Sequence, residues 1–352
     1  MAKREYVALA HKYKNQVVAD MYVSEKLDGI RAIWDGGLSR GILAADVPYA
    51  NTTKDSRYRT PPVATGLWTR YGKVIQAPSW FLDSLPKIIL DGELWISRDS
   101  FQDLTSIVKS LDPSPEWDRV TYRTFNVPFY RYWLADGRVY NPNMDITLKG
   151  AIKWAEARAE ATGVRLLKTG QSLRNAIKIM AQYPETEYYK PMRFKHLSAC
   201  PIQARRDLMA YFDQITSDNG EGVMLANPNG YWQPNRSYDL LKLKGMEESE
   251  ATVVGYVYGE ETELGSKLLG LVGSLIVNWQ GKRFNLSGLT DEERQLPYEF
   301  SQIAEQNPGQ VAADHIFSEV FPLGTSVTFR YRSLTKDGLP KEARYARKRD
   351  YE

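Results

Sequence analysis

The chain has 352 residues, 43% of them hydrophobic, with 22 tyrosines and a formal net charge of +3 at neutral pH. That is room for two domains with packed cores, and the charge suits a nucleic-acid partner only where positive residues cluster. A single cysteine, Cys200, excludes a disulfide framework and a multi-cysteine zinc site, and three scattered histidines argue against a histidine metal cluster.

No apolar run approaches the roughly 20 residues of a bilayer span, and the opening "MAKREYVALAHKYKN" lacks a signal-peptide core. A soluble, cytoplasmic, monomeric protein is expected. The first informative stretch, "YVSEKLDGIRAIWDGG" (22–37), reads as strand, turn, strand, with an Asp28-Gly29 turn presenting Lys26. An unperturbed lysine titrates near ~10.4, so a lysine nucleophile needs its proton disfavoured, by a neighbouring cation such as Arg31 or by burial. A surface Asp-Gly turn with incidental charges is the plainer reading of this segment alone.

Further along, "KIILDGELWI" (87–96) is an apolar run ending in an Asp-Gly turn, which reads as a buried strand with Glu93 at its edge. "YRTFNVPF" (122–129) puts Phe125 at the end of a β-type run, where a purine would stack or a core would take it. "ITLKGAIKWAEARAEATG" (146–163) has helical composition and stops at Gly163, and "SACPIQARRDLMAYFDQITSDNG" (198–220) reads as a second helix leaving through an Asn-Gly turn. After it, "EGVML" places Glu221 beside a glycine at a strand edge, and separated carboxylates such as Glu93 and Glu221 suit Mg2+ or Mn2+ held against phosphate. "LLKLKG" (240–245) sets Lys242 and Lys244 on one face of a strand, an arrangement that favours an anion between them.

Beyond residue 245 the texture becomes β-rich. "ATVVGYVYG", "GSLIVNWQGKRFNLSG" (a hairpin turning at Gln280-Gly281) and "TSVTFRYRSL" suggest strands, while "TDEERQLP" offers Thr290 and Glu293 as a capping box opening a helix. The expected fold class is α+β: a domain of antiparallel sheets with flanking helices over 1–245, then an OB-fold β-barrel over 246–352. The stretch from Arg330 to Glu352 carries eight Lys/Arg against four Asp/Glu.

In this order, the motifs resemble those of the covalent nucleotidyltransferase superfamily, and within it the small ATP-dependent DNA ligases of bacteriophage and bacterial type. "KLDGIR" is similar to that family's Lys-x-Asp-Gly-x-Arg motif, "LDGELW" to its third motif, and "EWDRVTYRTFNVP" to the stretch whose aromatic stacks on adenine. "EGVMLANPNGYWQPNRSYDLLKLKGMEESEATVVGY" resembles the fourth and fifth motifs.

The resemblance implies Lys26 as the residue that carries AMP, with Asp28, Arg31, Lys242 and Lys244 beside it in catalysis. It implies nucleotide contacts from Glu25, Arg31, Arg70, Glu93, Phe125, Glu221, Arg236, Lys242 and Lys244, and metal ligation by Glu93 and Glu221. The family's Asp after the aromatic is here Asn126, to which no role is given. For the motif arginine, "LSRG" offers Arg40 and "LWTRYGKVIQAPSWF" offers Arg70, 23 residues before Glu93; Arg70 is the choice. Residues 41–66 then read as an insertion.

The closing "RKR" would supply Arg347 and Arg349 to orient pyrophosphate, although Lys341-Glu342 stands where the family often has Arg-Phe. The implied cofactors are ATP and Mg2+, the implied partner is nicked duplex DNA, and the implied setting is replication, repair or recombination, in a bacterial host if phage-encoded. NAD+ is not the expected adenylate donor, since the stretch before Lys26 is shorter than the extra domain that NAD+-using ligases carry. An RNA ligase or mRNA-capping nucleotidyltransferase, or a non-catalytic OB-type DNA-binding protein, remain the alternatives.

Overall fold

The computed structural model describes residues 7–51, 62–135, 141, 144, 146–261, 265, 267–312, 318–332 and 334–348. The chain divides into two compact units between Leu243 and Lys244.

The N-terminal unit runs β1 (Leu9–Lys12), β2 (Tyr22–Glu25), β3 (Ile30–Trp34), β4 (Leu67–Thr69), α1 (Ser79–Asp83), β5 (Leu90–Trp95), α2 (Phe101–Lys109), β6 (Thr121–Asn126), α3 (Tyr130–Ala135), α4 (Leu148–Thr162), α5 (Leu173–Met180), β7 (Tyr189–Pro191), β8 (Lys195–His196), α6 (Pro201–Ser217), β9 (Gly222–Ala226) and β10 (Arg236–Lys244). Its strands form two five-stranded sheets, ordered β1-β10-β9-β2-β8 and β4-β3-β5-β6-β7. Pairing is mainly antiparallel, with parallel pairs β1–β10 and β6–β7 at the margins. The expected strands on either side of Lys26 exist, but β2 and β3 belong to different sheets and never pair. Lys26–Gly29 is therefore a crossover between sheets, bent at Gly29, and not a hairpin turn.

The second expected Asp-Gly turn, at Asp91-Gly92, is also absent, because β5 runs straight through it. Asp91 is wholly buried as an ion-pair partner, and a Cβ at Gly92 would lie 2.6 Å from the Arg123 carbonyl oxygen and 2.8 Å from the Tyr122 ring. Glycine here serves close strand packing, which outweighs its turn preference.

Alternation on the central strands sorts side chains by face. Ala32, Trp34, Leu90, Leu94 and Tyr122 enter one core with Phe81 of α1, Leu104 of α2 and Ala176 of α5, while Ile33 joins a second core on the opposite side. Burying a side chain such as Phe81 or Leu94 contributes about 2–3 kcal/mol. A third core packs α6 against β2 and β9 through Leu208, Ile215, Val23 and Val223. Helix α4 stops at Gly163 with φ 71°, as its sequence predicts, and it starts at a Thr147 cap whose hydroxyl accepts from Gly150 N–H.

The C-terminal unit comprises β11 (Glu247–Tyr258), β12 (Val272–Trp279), β13 (Lys282–Leu286), α7 (Tyr298–Gln306), β14 (Ser326–Tyr331) and β15 (Arg344–Lys348), in one antiparallel sheet ordered β13-β12-β11-β14-β15. The β12–β13 hairpin turns at Gln280 and Gly281, with φ 51° and 78°. Among the described residues the ladders leave the sheet open, and an isolated bridge, Ser287 to Arg344, links the ends of β13 and β15. The Thr290/Glu293 box forms both of its hydrogen bonds, but caps a single turn, and the helix begins only at Tyr298 after Pro297. Among the described residues no helix is long and apolar enough to cross a membrane.

Candidate active site

Lys26 follows the last residue of β2, and its backbone N–H donates to the Gly222 carbonyl at the start of β9 (2.8 Å). This bond sets the crossover beside Glu221. The Lys26 ammonium donates to Glu221 Oε2 at 2.6 Å, from a side chain 22% exposed to one only 2% exposed. Two residues whose sequence separation is 195 thus meet at one end of the paired strands β2 and β9.

Glu93 approaches from the other sheet. Arg31 on β3 faces Glu93 on β5, and Glu93 faces Arg123 on β6, so all three project from the same side. A Cβ at Gly29 would lie 2.6 Å from Glu93 Cγ and 2.3 Å from the Leu94 carbonyl oxygen. Glycine at this position is what lets the crossover lie on β5, beside Glu93, with half-buried Asp28 in the same bend.

Burial pushes the Glu93 carboxyl up to about 7. The charges of Arg31 and Lys26 oppose that rise, while those of Glu221 and Asp91 add to it. Lysine, arginine and three carboxylates therefore share one electrostatic environment.

Arg31 is not presented to a ligand in the expected way. Its Nε and Nη2 make a bidentate pair with Asp91, each bond 2.6 Å, and Nη2 also reaches the Ala8 carbonyl (3.3 Å). Asp91 further accepts from the Trp232 indole at 2.6 Å. Burial works against the guanidinium charge, but Asp91 more than compensates and raises its pKa. Arg31 also lies 4.4 Å from the centre of the Phe125 ring, a cation–π contact on one face of the aromatic. Asp91 and Asn126 pair, then Gly92 and Thr124, leaving Phe125 as the extra residue of a β-bulge. A bulge re-aims a side chain, and here it sets the phenyl ring over Arg31.

The remaining expected residues divide. Glu25 has both carboxylate oxygens on Arg98, at 2.8 and 3.1 Å. Arg236 spends a guanidinium N–H on the Ala10 carbonyl, joining β10 to β1, and Lys242 lies opposite Lys12 in that pairing. Lys244 donates to both oxygens of Glu342, at 3.3 and 3.1 Å, within the C-terminal unit.

Arg70 is exposed on the turn after β4, its guanidinium 4.8 Å from the Tyr71 ring centre. Its competitor Arg40 is paired with Asp83 at 2.5 Å. Arg347 lies on β15, 3.6 Å from Glu248. Arg349 and residues 52–61 of the insertion lie outside the described residues.

Sequence reasoning missed Asp91, Trp232 and Arg98. Once the turn reading is dropped, alternation sets Asp91 on the face of Glu93, opposite Leu90 and Leu94, so its burial had no local sign. Nothing local marks Trp232 or Arg98, whose partners lie 141 and 73 positions away.

Among the described residues no group of three or more His, Cys, Asp or Glu side chains is arranged to hold a metal ion. Glu93 and Glu221 fit a weaker role, because Mg2+ commonly takes one or two carboxylates and completes its shell with phosphate oxygens and water.

Comparison with known proteins agrees with this layout. A family model described as DNA ligase OB-like domain matches residues 264–349. A DNA ligase from Haemophilus influenzae is 24% identical over 342 residues, covering 97% of this chain and 91% of its own. A solved Lig E DNA ligase, described as DNA binding with a minimal scaffold, superposes with a TM-score of 0.63 at 26% identity, over 97% of this chain and 98% of its own. A structure named Pmar-Lig_PreS3 shares the fold, with a TM-score of 0.61 at 16% identity over 98% of this chain and 68% of its own.

A nucleotidyltransferase-type unit carrying a lysine–carboxylate site, followed by an OB-like unit, defines the class of this protein. In sequence and in fold the chain is similar to DNA ligases.

Proposed function

We propose that the protein is an ATP-dependent DNA ligase that seals 5′-phosphate/3′-hydroxyl nicks in duplex DNA through a lysyl-AMP intermediate. The observation that carries this reading is the Lys26 ammonium held 2.6 Å from the buried Glu221 carboxylate, with Glu93 and Arg31 in the same electrostatic neighbourhood.

In the first step the neutral Lys26 amine attacks the α-phosphorus of ATP, the N–P bond forms, and pyrophosphate leaves. In the second, a DNA 5′-phosphate oxygen attacks the same phosphorus, the N–P bond breaks, and AMP passes to DNA. In the third, the 3′-hydroxyl attacks the 5′-phosphorus, AMP leaves, and the strand is closed.

At rest, Lys26 is stored as an ion pair. Attack requires Glu221 to release it and its proton to be lost, so the pair keeps the amine in place and protected until nucleotide arrives. Glu93 and Glu221 would hold Mg2+, whose charge would offset the negative charge on the phosphate oxygens. Phe125 would stack the adenine on the ring face away from Arg31, and Arg31, fixed by Asp91, would support that ring. Lys242, Lys244, Arg70, Arg236, Arg347 and Arg349 would meet phosphate or ribose once bound, with catalysis resting on positioning and charge neutralisation. DNA would be gripped mainly by its backbone, so affinity would be indifferent to sequence and fall with salt.

The test is sealing of an end-labelled nicked duplex with ATP and Mg2+. Native protein is expected to close the nick and Lys26→Ala to leave it open on an unadenylylated 5′-phosphate. Sealing by both proteins would refute the lysine's role, and better use of GTP or of an RNA end would favour the capping or RNA-ligase alternatives.

A further inference from the structure

We infer that Arg98 is a positioning residue for the nucleophile: a clamp that fixes, through Glu25 and the 218–222 link, the backbone from which Lys26 and Glu221 project. The inference rests on Lys26 being the nucleophile of the proposed reaction.

Three chain segments converge on this guanidinium. Its Nε and Nη2 donate to the two oxygens of Glu25, at 2.8 and 3.1 Å, and Glu25 is the residue immediately before Lys26. Its Nη1 donates to the Asp218 carbonyl at 2.9 Å, with the Asp218 carboxylate at 3.7 Å, and this link from α6 leads three residues later to Glu221. Arg98 itself stands just past the end of β5, the strand of Glu93. One side chain thus ties together the segments carrying Lys26, Glu221 and Glu93.

The clamp is built, not incidental. Arg98 is presented by a tight turn in which Ser97 N–H donates to Ser100 Oγ (3.0 Å), that hydroxyl donates back to the Ser97 carbonyl (2.5 Å), and Asp99 takes φ 58°. On the opposite side Asn219 takes φ 62°, and a Cβ at Gly220 would lie 2.3 Å from Ile215 Cγ2 and 3.3 Å from Glu25 Oε1. The link is pressed onto α6 and brought up to the Glu25 carboxylate at a position only glycine fits. The planar fork of arginine meets a carboxylate and a carbonyl at once, which lysine's single ammonium cannot reproduce in geometry.

The arrangement also changes the part played by Glu25. With both oxygens on Arg98, its carboxylate holds the Lys26 backbone in register with Gly222.

The test compares full-length native protein with Arg98→Ala, Arg98→Lys, Glu25→Gln and the Arg98→Ala/Glu25→Gln pair. Covalent labelling by α-labelled ATP is followed in a single turnover, together with exchange of the Lys26 amide hydrogen. Arg98→Ala is expected to slow labelling at saturating ATP by about tenfold or more, with the half-saturating ATP changed by less than about threefold. Arg98→Lys recovers part of the rate, and the double variant is no slower than the slower single one, because both act through one contact. The Lys26 amide, bonded to Gly222, exchanges faster in Arg98→Ala and in Glu25→Gln.

An unchanged labelling rate, unchanged Lys26 amide protection, or a rate loss that disappears on cooling in step with thermal stability overturns the clamp. Absence of label on native protein would instead remove the lysine reading, and amide exchange would still decide whether Arg98 fixes this backbone.

Discussion

The two units use the same kinds of charge in opposite ways. In the N-terminal unit Arg31 and Asp91 form two parallel 2.6 Å bonds out of water, and Lys26 meets a carboxylate only 2% exposed. In the C-terminal unit Arg330 and Arg347 share Glu248 at 2.7 and 3.6 Å, both with side chains more than half exposed. Lys244 and Arg332, 24% and 9% exposed, share Glu342, itself about half exposed. Removing one partner of a buried pair costs about 3–5 kcal/mol, whereas an exposed pair is worth about 0.2–1 kcal/mol. One unit fixes a geometry. The other holds cations on carboxylates open to solvent.

The contrast breaks most sharply at Asp91. Asp91→Ala strands Arg31 and the Trp232 indole together, and about 3 kcal/mol of stability should be lost in urea denaturation. A loss under about 1 kcal/mol would show that the pair is solvated like those on β14 and β15. Gly29→Ala comes next, since its Cβ meets a backbone oxygen that cannot yield. About 1–3 kcal/mol of overpacking is expected, with slower covalent labelling by ATP. Normal labelling would mean that the crossover does not need its contact with Glu93.

Glu93 supplies a pH test of the same idea in metal-free buffer. Its carboxyl keeps a proton up to about pH 7 in the fold, against an ordinary value of 4.5, so the folded state binds the extra proton between these limits. Stability associated with that proton is full below pH 4.5 and lost as pH rises through 7. Glu93→Gln should therefore stabilise the protein above pH 7, by on the order of 2 kcal/mol, and change little near pH 4.5. A stabilisation independent of pH would contradict the buried carboxylate. The smallest effect belongs to Arg347→Gln, within about 0.5 kcal/mol in stability but with a shallower salt dependence of DNA binding. A large stability loss there would erase the distinction between the units.

Much of this was legible in the sequence where the determinants are local. The stop of α4, the Gln280-Gly281 hairpin and the lysines of β10 follow from residue types at short spacing. What failed depended on distant partners. Asp91-Gly92 has turn composition, yet β5 passes through it because Arg31 and Trp232, 60 and 141 positions away, make a buried aspartate favourable. The Asp28-Gly29 segment, expected as a turn between paired strands, is a crossover, because which sheet each flanking strand joins is set by packing partners across the whole unit. In the candidate site, Lys26 pairs with Glu221, and its charge acts on the Glu93 carboxyl. The engagement of Arg31, Glu25 and Lys244 by Asp91, Arg98 and Glu342 had no local sign.

The central claim is that Lys26 attacks phosphorus. Native protein incubated with ATP and Mg2+, digested and analysed by mass spectrometry, should carry one AMP on the peptide containing Lys26, and Lys26→Ala should carry none. An AMP found on another residue, or retained in full by Lys26→Ala, would contradict the account.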